Sequence, residues 1–240
     1  MFVELHAIQN FSPANLNRDD TNNPKDCEFG GTRRARISSQ CLKRSIRTAP
    51  VFAATTGVEL AVRTKWLIRR TLLPRLVEAG KSKEEALPVL EAFVPQYASK
   101  LDAKSKDDKK TAVLLYLGRA ELDNITQALL ENWENLSDDK TMIQVVRDLV
   151  KAHKEHTSAP DIALFGRMLA EKPELGLEAA CQVAHAISTH RVTMEMDFYT
   201  AVDDLISDDT AGAGMMGFTG FDSACFYRYA RIDWGQLVKN

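Results

Sequence analysis

The sequence predicts an α+β fold in which a helical stretch is inserted into a sheet-forming chain. Three observations carry that prediction. Residues 2–9 alternate like a strand, residues 59–155 carry helical spacing almost throughout, and residues 224–232 alternate again near the end. Strands on both flanks of a helical middle suit a helical insertion within one α+β domain.

Taken in order, Val3, Leu5 and Ala7 share one face of the first strand. Residues 10–31 then read as a polar loop rich in Asn, Asp, Pro and Gly, and loops of that length are functional or disordered. A helix is expected next, with Ser38 or Ser39 as N-cap and Leu42, Ile46 and Ala49 at helical spacing. Pro50 ends or kinks it. In the helical middle, Leu60, Thr64, Leu67 and Ile68 share a face, and further amphipathic runs cover 112–134 and 140–153. Lysines and aspartates at 100–110 and Ser-Asp-Asp at 137–139 mark solvated connectors.

Residues 161–168 are a short segment read as a strand. Residues 183–192 fit a strand and a helix equally, and the periodicity leaves both open. Between 193 and 223, Gly212, Gly214, Gly217 and Gly220 stand among Met215, Met216 and Phe218, which suggests a protruding hairpin. The segments divide at 1–58, 59–160, 161–192, 193–223 and 224–240, the last read as strand.

The 240 residues are 45% hydrophobic and 27% charged, a globular balance that argues against wholesale disorder. No stretch approaches the ~20 apolar residues of a membrane span. The N-terminus has no basic region followed by an apolar core, so no signal peptide is expected. Cys27, Cys41, Cys181 and Cys225 form no Cys-x-x-Cys pair, which suits reduced thiols in a cytoplasmic protein and no zinc site.

A net charge of −2 hides an uneven distribution. Residues 29–75 carry eleven Lys or Arg against one acid, Glu59. Either that segment is a solvated face balanced by acidic neighbours, or it meets a polyanion. In Gly30-Gly31-Thr32-Arg33-Arg34-Ala35-Arg36, glycines allow close backbone approach and three arginines follow without an acid. The helix behind it offers amide groups and a positive dipole end, a seat for phosphate. Lys43, Arg44 and Arg47 add charge, with Lys43 and Arg47 one turn apart. No Gly-Lys-Ser/Thr closes the run, so it is not a nucleoside-triphosphate loop, and no cofactor is expected. The competing reading pairs these arginines with Asp19, Asp20 and Asp26.

The run Asn17-Arg18-Asp19-Asp20, Lys25-Asp26 and then Phe29-Gly30-Gly31 through Lys43-Arg44 closely resembles the CasC family, the backbone subunits of type I-E Cascade CRISPR surveillance complexes. Asp161-Ile162-Ala163-Leu164-Phe165-Gly166-Arg167-Met168, Ala184-His185-Ala186-Ile187, Tyr199-Thr200-Ala201-Val202-Asp203-Asp204-Leu205 and Phe226-Tyr227-Arg228-Tyr229-Ala230 match in the same order. The resemblance implies an RRM-like (ferredoxin-like) palm, an inserted helical finger domain and a thumb hairpin. It implies copies stacked along a CRISPR RNA, held with other Cascade subunits, presenting the guide to target DNA, with no membrane partner. On that basis Arg18, Lys25, Ser38, Gln40, Lys43, Arg44 and Arg47 hold the guide backbone, Met168 wedges against bases, and Thr200 and Val202 sit on the thumb. Family members continue beyond the position matching Asn240, in a segment that completes the palm sheet.

Met168, Met215 and Met216 read, without the resemblance, as core filler. Tyr227 and Tyr229 are either stacking platforms or residues packed under a helix, and packing is the favoured expectation. The rival function is a metal-dependent RNA endonuclease using Asp19, Asp20 or Asp26. The resemblance implies a non-catalytic scaffold whose cutting is delegated to another protein, and the histidine spacings at 153/156 and 185/190 match no metal motif.

Overall fold

Thirteen residues, Phe2–Ala14, extend as β1, past the expected stop at residue 9. The computed structural model describes residues 1–105, 108–201 and 215–240. After β1 the chain forms β2 (Asp26–Phe29), β3 (Thr32–Ile37), α1 (Ser39–Thr48), α2 (Pro50–Thr56), β4 (Val62–Thr64), a π-helical turn (Ile68–Leu72), α3 (Leu73–Glu78) and α4 (Lys83–Tyr97). It continues through β5 (Leu115–Leu117), α5 (Arg119–Glu131), α6 (Asp139–His153) and α7 (Pro160–Phe165). β6 (Cys181–Val183), β7 (Ala186–Ser188), β8 (Glu195–Ala201), β9 (Met215–Asp233) and α8 (Trp234–Lys239) complete it.

The expected 10–31 loop is therefore loop only over residues 15–25, with strand on either side and a hairpin turn at its end. Phe29 pairs with Thr32 across Gly30 and Gly31, whose φ values are 63° and 73°. Both central residues of such a two-residue turn need positive φ, which glycine adopts at no steric cost. Two further expectations are corrected. Residues 161–168 open as a helix because Pro160 sits at its first turn, where a missing amide is harmless. Residues 234–239 are helical, with the Asp233 carboxylate accepting from the Gln236 amide. In the 183–192 segment Val183 ends β6 and Ala186–Ser188 form β7, so its regular part is strand and not helix.

The chain divides into two compact units, one of residues 3–48 and 182–231, the other of 1–2, 49–181 and 232–240. In the first, strands run in the order β1-β9-β7-β3-β2, with β6 and β8 also paired to β9. The β2–β3, β3–β7, β7–β9 and β8–β9 pairs are antiparallel. One face buries Ala35, Ile37, Ala186, Ala224 and Phe226, and α1 lays Cys41 and Leu42 over them. Alternation along β3 then turns Arg34 and Arg36 to the other face.

The second unit is built on a leucine-rich core, including Leu67, Ile68, Leu72, Leu76, Leu90, Phe93, Leu122, Ile125 and Leu129, all essentially inaccessible. Helix α4 starts with a reciprocal Ser82–Glu85 capping box. Helix α6 starts with Asp138 accepting from the Thr141 amide. Within this mostly helical stretch lies an antiparallel β4–β5 pair, three residues each, that was not expected.

Candidate nucleic-acid interface

The basic segment is organised by α1 and the loop before β2. Ser38 caps α1: its hydroxyl accepts the Cys41 amide at 3.3 Å, while the Asn17 side chain accepts the Ser38 amide at 2.8 Å. Ser38 is buried, so its visible work is to fix the helix start. The Lys25 amide donates to the Asn17 carbonyl at 2.8 Å, and the Lys25 carbonyl accepts the Arg36 amide at 2.9 Å. Asn17 thereby ties the loop to both strand and helix. Arg18 is exposed and donates to the Asn22 side chain at 2.8 Å.

On α1, Gln40 and Arg44 are exposed and Lys43 and Arg47 half-exposed. No acid lies anywhere between residues 29 and 58, so the helix carries cations without acidic neighbours in its own sequence. Its first turn has no acid either. The expected row of open amides is corrected: the Ser39 amide donates to His185 Nδ1 at 3.4 Å and the Cys41 amide to Ser38. His185 thus belongs to the helix start, although its sequence block gave no hint of that role.

The arginines of β3 do something different from the helix cations. Arg33 pairs with Asp26 at 2.6 Å. Arg34 donates to the carbonyls of Phe29 at 2.9 Å and Ser188 at 2.8 Å. Arg36 donates to the Asp26 carbonyl at 3.2 Å and meets His185 Nδ1 at 3.3 Å. These three hold the sheet together. Of the pairings with Asp19, Asp20 and Asp26 expected from sequence, only Arg33–Asp26 forms among the described residues.

Asp19 Oδ1 accepts the Thr21 hydroxyl at 2.8 Å and the amides of Thr21 and Asn23 at 2.9 Å each. Those bonds, the Thr21 hydroxyl first, hold its carboxyl below the usual range. Asp19 is thus a loop organiser, and Asp26 is bound to Arg33. Among the described residues no group of three or more His, Cys, Asp or Glu side chains is arranged to hold a metal ion. No helix among them is long and apolar enough to cross a membrane.

Met168 belongs to the helical unit and is 89% exposed, which excludes the core-filler reading for it. The neighbouring residues explain its display. Gly166 ends α7 at φ 76°, and a Cβ there would lie 2.9 Å from the Ala179 amide nitrogen and the Leu177 carbonyl oxygen. Arg167 is buried against Glu121, turning Met168 outward.

Thr200 is exposed on β8 opposite Met216 of β9. The ladder also sets Phe198 against Phe218 with ring centres 5.0 Å apart. Met215 and Met216 are exposed, not core. Val202, with the rest of 202–214, lies outside the described residues. Tyr227 and Tyr229 overturn the packing expectation: α1 lies over the Phe226 face, and the tyrosines point to the other side. There Tyr227 meets His6 Nδ1 at 2.7 Å, and Tyr229 donates to Glu4 at 2.8 Å, a bond that pushes its phenol pKa up. Both line an open groove of about 510 Å³ with Arg34 and His185.

Residues 3–240 match the family described as CT1975-like protein. The chain is similar to one in a solved "CRISPR RNA-guided surveillance complex, pre-nicking", at 32% identity and TM-score 0.84 over 99% of its own length. It is also similar to one in a "CRISPR RNA-guided surveillance complex", at 28% identity and TM-score 0.71 over 100% of its length. It spans 66% of the length of each of those chains. No curated protein sequence matches it.

Proposed function

Because the chain belongs to the CT1975-like family of Cas proteins, we propose that it is a non-catalytic, CRISPR RNA-binding scaffold subunit of a surveillance complex. Copies stack along the guide spacer, together with other subunits of the complex, and present the guide for pairing with target DNA in antiviral defence. Residues 1–58, 161–192 and 224–240 act as an RRM-like palm, residues 59–160 as the finger domain, and 193–223 as the thumb. The work is cytoplasmic and needs no cofactor.

The observation that carries this reading is the α1 face: Gln40, Lys43, Arg44 and Arg47 on a capped helix with no acid between residues 29 and 58. Such a face offers side-chain charge to phosphates and brings no carboxylate of its own to activate water, which suits gripping a backbone and not cutting it. Lys25 and Arg18 extend the grip from the loop, and Ser38 positions the helix. Met168 acts as a base wedge, and Thr200 and Val202 serve on the thumb.

The test is a salt titration of single-stranded RNA binding. Each phosphate contact contributes about 0.7 to the slope of log affinity against log salt. Lys43→Ala should flatten the slope by about that amount and weaken unrelated sequences equally. Lys109→Ala, whose ammonium pairs with Glu91 at 3.0 Å, should change neither. Equal slopes for both variants, or a sequence-selective loss at Lys43, refutes the backbone grip.

A further inference from the structure

Five cations of the basic 29–75 stretch lie outside α1 and β3: Arg63, Lys65, Arg69, Arg70 and Arg75, all in the helical unit. Arg75 pairs with Asp123. Among the described residues no carboxylate forms an ion pair with Arg63, Lys65, Arg69 or Arg70. The neighbouring strand–loop segment brings Lys110 to the same place, since the Thr111 amide donates to the Lys65 carbonyl at 2.9 Å.

Local structure holds these charges in one patch. Arg63 sits opposite Tyr116 in the β4–β5 ladder, with its guanidinium carbon 4.7 Å from that ring centre. Trp66 carries Arg70 at 4.1 Å and the Lys110 ammonium at 4.0 Å. The π-helical turn Ile68–Leu72 then buries Ile68 and Leu72 completely while leaving Arg69 and Arg70 exposed. Such turns recur at functional sites. Among the described residues, Asp108 is bound to Lys110 at 2.9 Å, Glu91 to Lys109 at 3.0 Å and Glu59 to Arg119 at 3.3 Å.

We propose that this patch is a second nucleic-acid site that binds the phosphate backbone of duplex DNA. Proteins hold single strands by combining charge with aromatic platforms on which bases stack. Here both rings already carry cations, so what remains to offer is positive charge. A duplex keeps its bases stacked inside and presents phosphates, which is the surface such a patch fits. The site is built from residues of the helical unit and does not require guide binding.

The experiment measures binding of the 240-residue chain to a blunt DNA duplex of arbitrary sequence, by anisotropy across a salt series, beside the single-stranded RNA titration. Arg63→Ala/Arg69→Ala should flatten the duplex slope by about 1.8 and weaken binding roughly three- to tenfold, leaving the RNA slope unchanged. Arg69→Lys keeps the charge and should bind as the parent does, which separates lost contact from lost folding. Lys154→Ala, whose ammonium pairs with Glu155 at 3.1 Å, is the unaffected control. An unchanged duplex slope in the double variant overturns the proposal, and so does an equal fall in RNA and duplex slopes. Capture of an acidic protein with duplex affinity unchanged overturns it too. Failure of Lys43→Ala to alter RNA binding sinks the guide reading alone, so the two failures are distinct.

Discussion

Arg167→Met tests how the fold displays Met168. The Arg167 and Glu121 side chains are only 1% and 4% exposed. The guanidinium donates to both Glu121 oxygens at 2.8 and 2.7 Å, to the Leu175 carbonyl at 2.7 Å and to the His153 carbonyl at 3.0 Å. Methionine fills similar space but removes every one of these donors. Glu121 would keep the Gly118 amide at 2.7 Å, leaving a buried carboxylate without a counter-charge. Breaking one side of such a pair costs about 3–5 kcal/mol, against a total of about 5–15 kcal/mol for a typical domain. Urea unfolding followed through Trp66 and Trp133, both in the helical unit, should show it. With a slope of about 3 kcal/mol/M the midpoint falls by roughly 1–1.7 M. Arg167→Met/Glu121→Gln should recover much of the loss, since no charge is then left unpaired. A loss under about 1 kcal/mol for the single variant, or a double variant no better than the single, would refute the argument that this pair anchors the Met168 turn.

Two other outcomes are expected. Gly166→Ala should lower the urea midpoint by the equivalent of about 1–3 kcal/mol, because φ 76° and contacts at 2.9 Å leave a Cβ no room; an unchanged midpoint would show that the turn yields. Asp222→Asn should raise the melting temperature at pH 7 and make no difference near pH 3. Burial, with the Asp26 charge second, lifts the Asp222 carboxyl above its ordinary 3.8, so the folded state favours its protonated form and loses stability as pH rises through the folded value. A gap between the two melting curves that closes toward neutral pH would contradict this.

Periodic, capped elements were legible in the sequence. The expected 140–153 helix became Asp139–His153 because Asp138 caps it and Met142, Val145, Val146, Leu149 and His153 form an inward stripe. Strand β1 was cut short because its residues alternate weakly: most of Phe2–Ala14 is exposed, so no buried row marks its length. Residues 161–168 begin as helix, not strand, and Pro160 in the first turn is the helix-start signal the sequence carries for it. Strands β4 and β5 are three residues each, shorter than any periodicity test resolves.

The site was legible as charge but not as geometry. A run such as Arg33-Arg34-Ala35-Arg36 counts as three phosphate-binding cations only while the chain there is taken as loop. Once it is strand, the period of two commits Arg34 and Arg36 to carbonyls and His185 on one face, and Arg33 meets Asp26. Helix α1 follows with a period of 3.6, which keeps Lys43 and Arg47 one turn apart and leaves Arg44 exposed beside them. Charge counting over the loop, strand and helix allows eight cations on the RNA, whereas the geometry allows five: Arg18, Lys25, Lys43, Arg44 and Arg47. The ceiling on the single-strand salt slope therefore drops from about 5.6 to about 3.5 for one chain. A measured slope well above that ceiling would mean that the β3 arginines leave their sheet partners when RNA binds. Arg34→Ala, which removes the charge, should then lower the slope as much as Lys43→Ala. A slope at or below it, insensitive to Arg34→Ala, is what an Arg34 held by the Phe29 and Ser188 carbonyls requires.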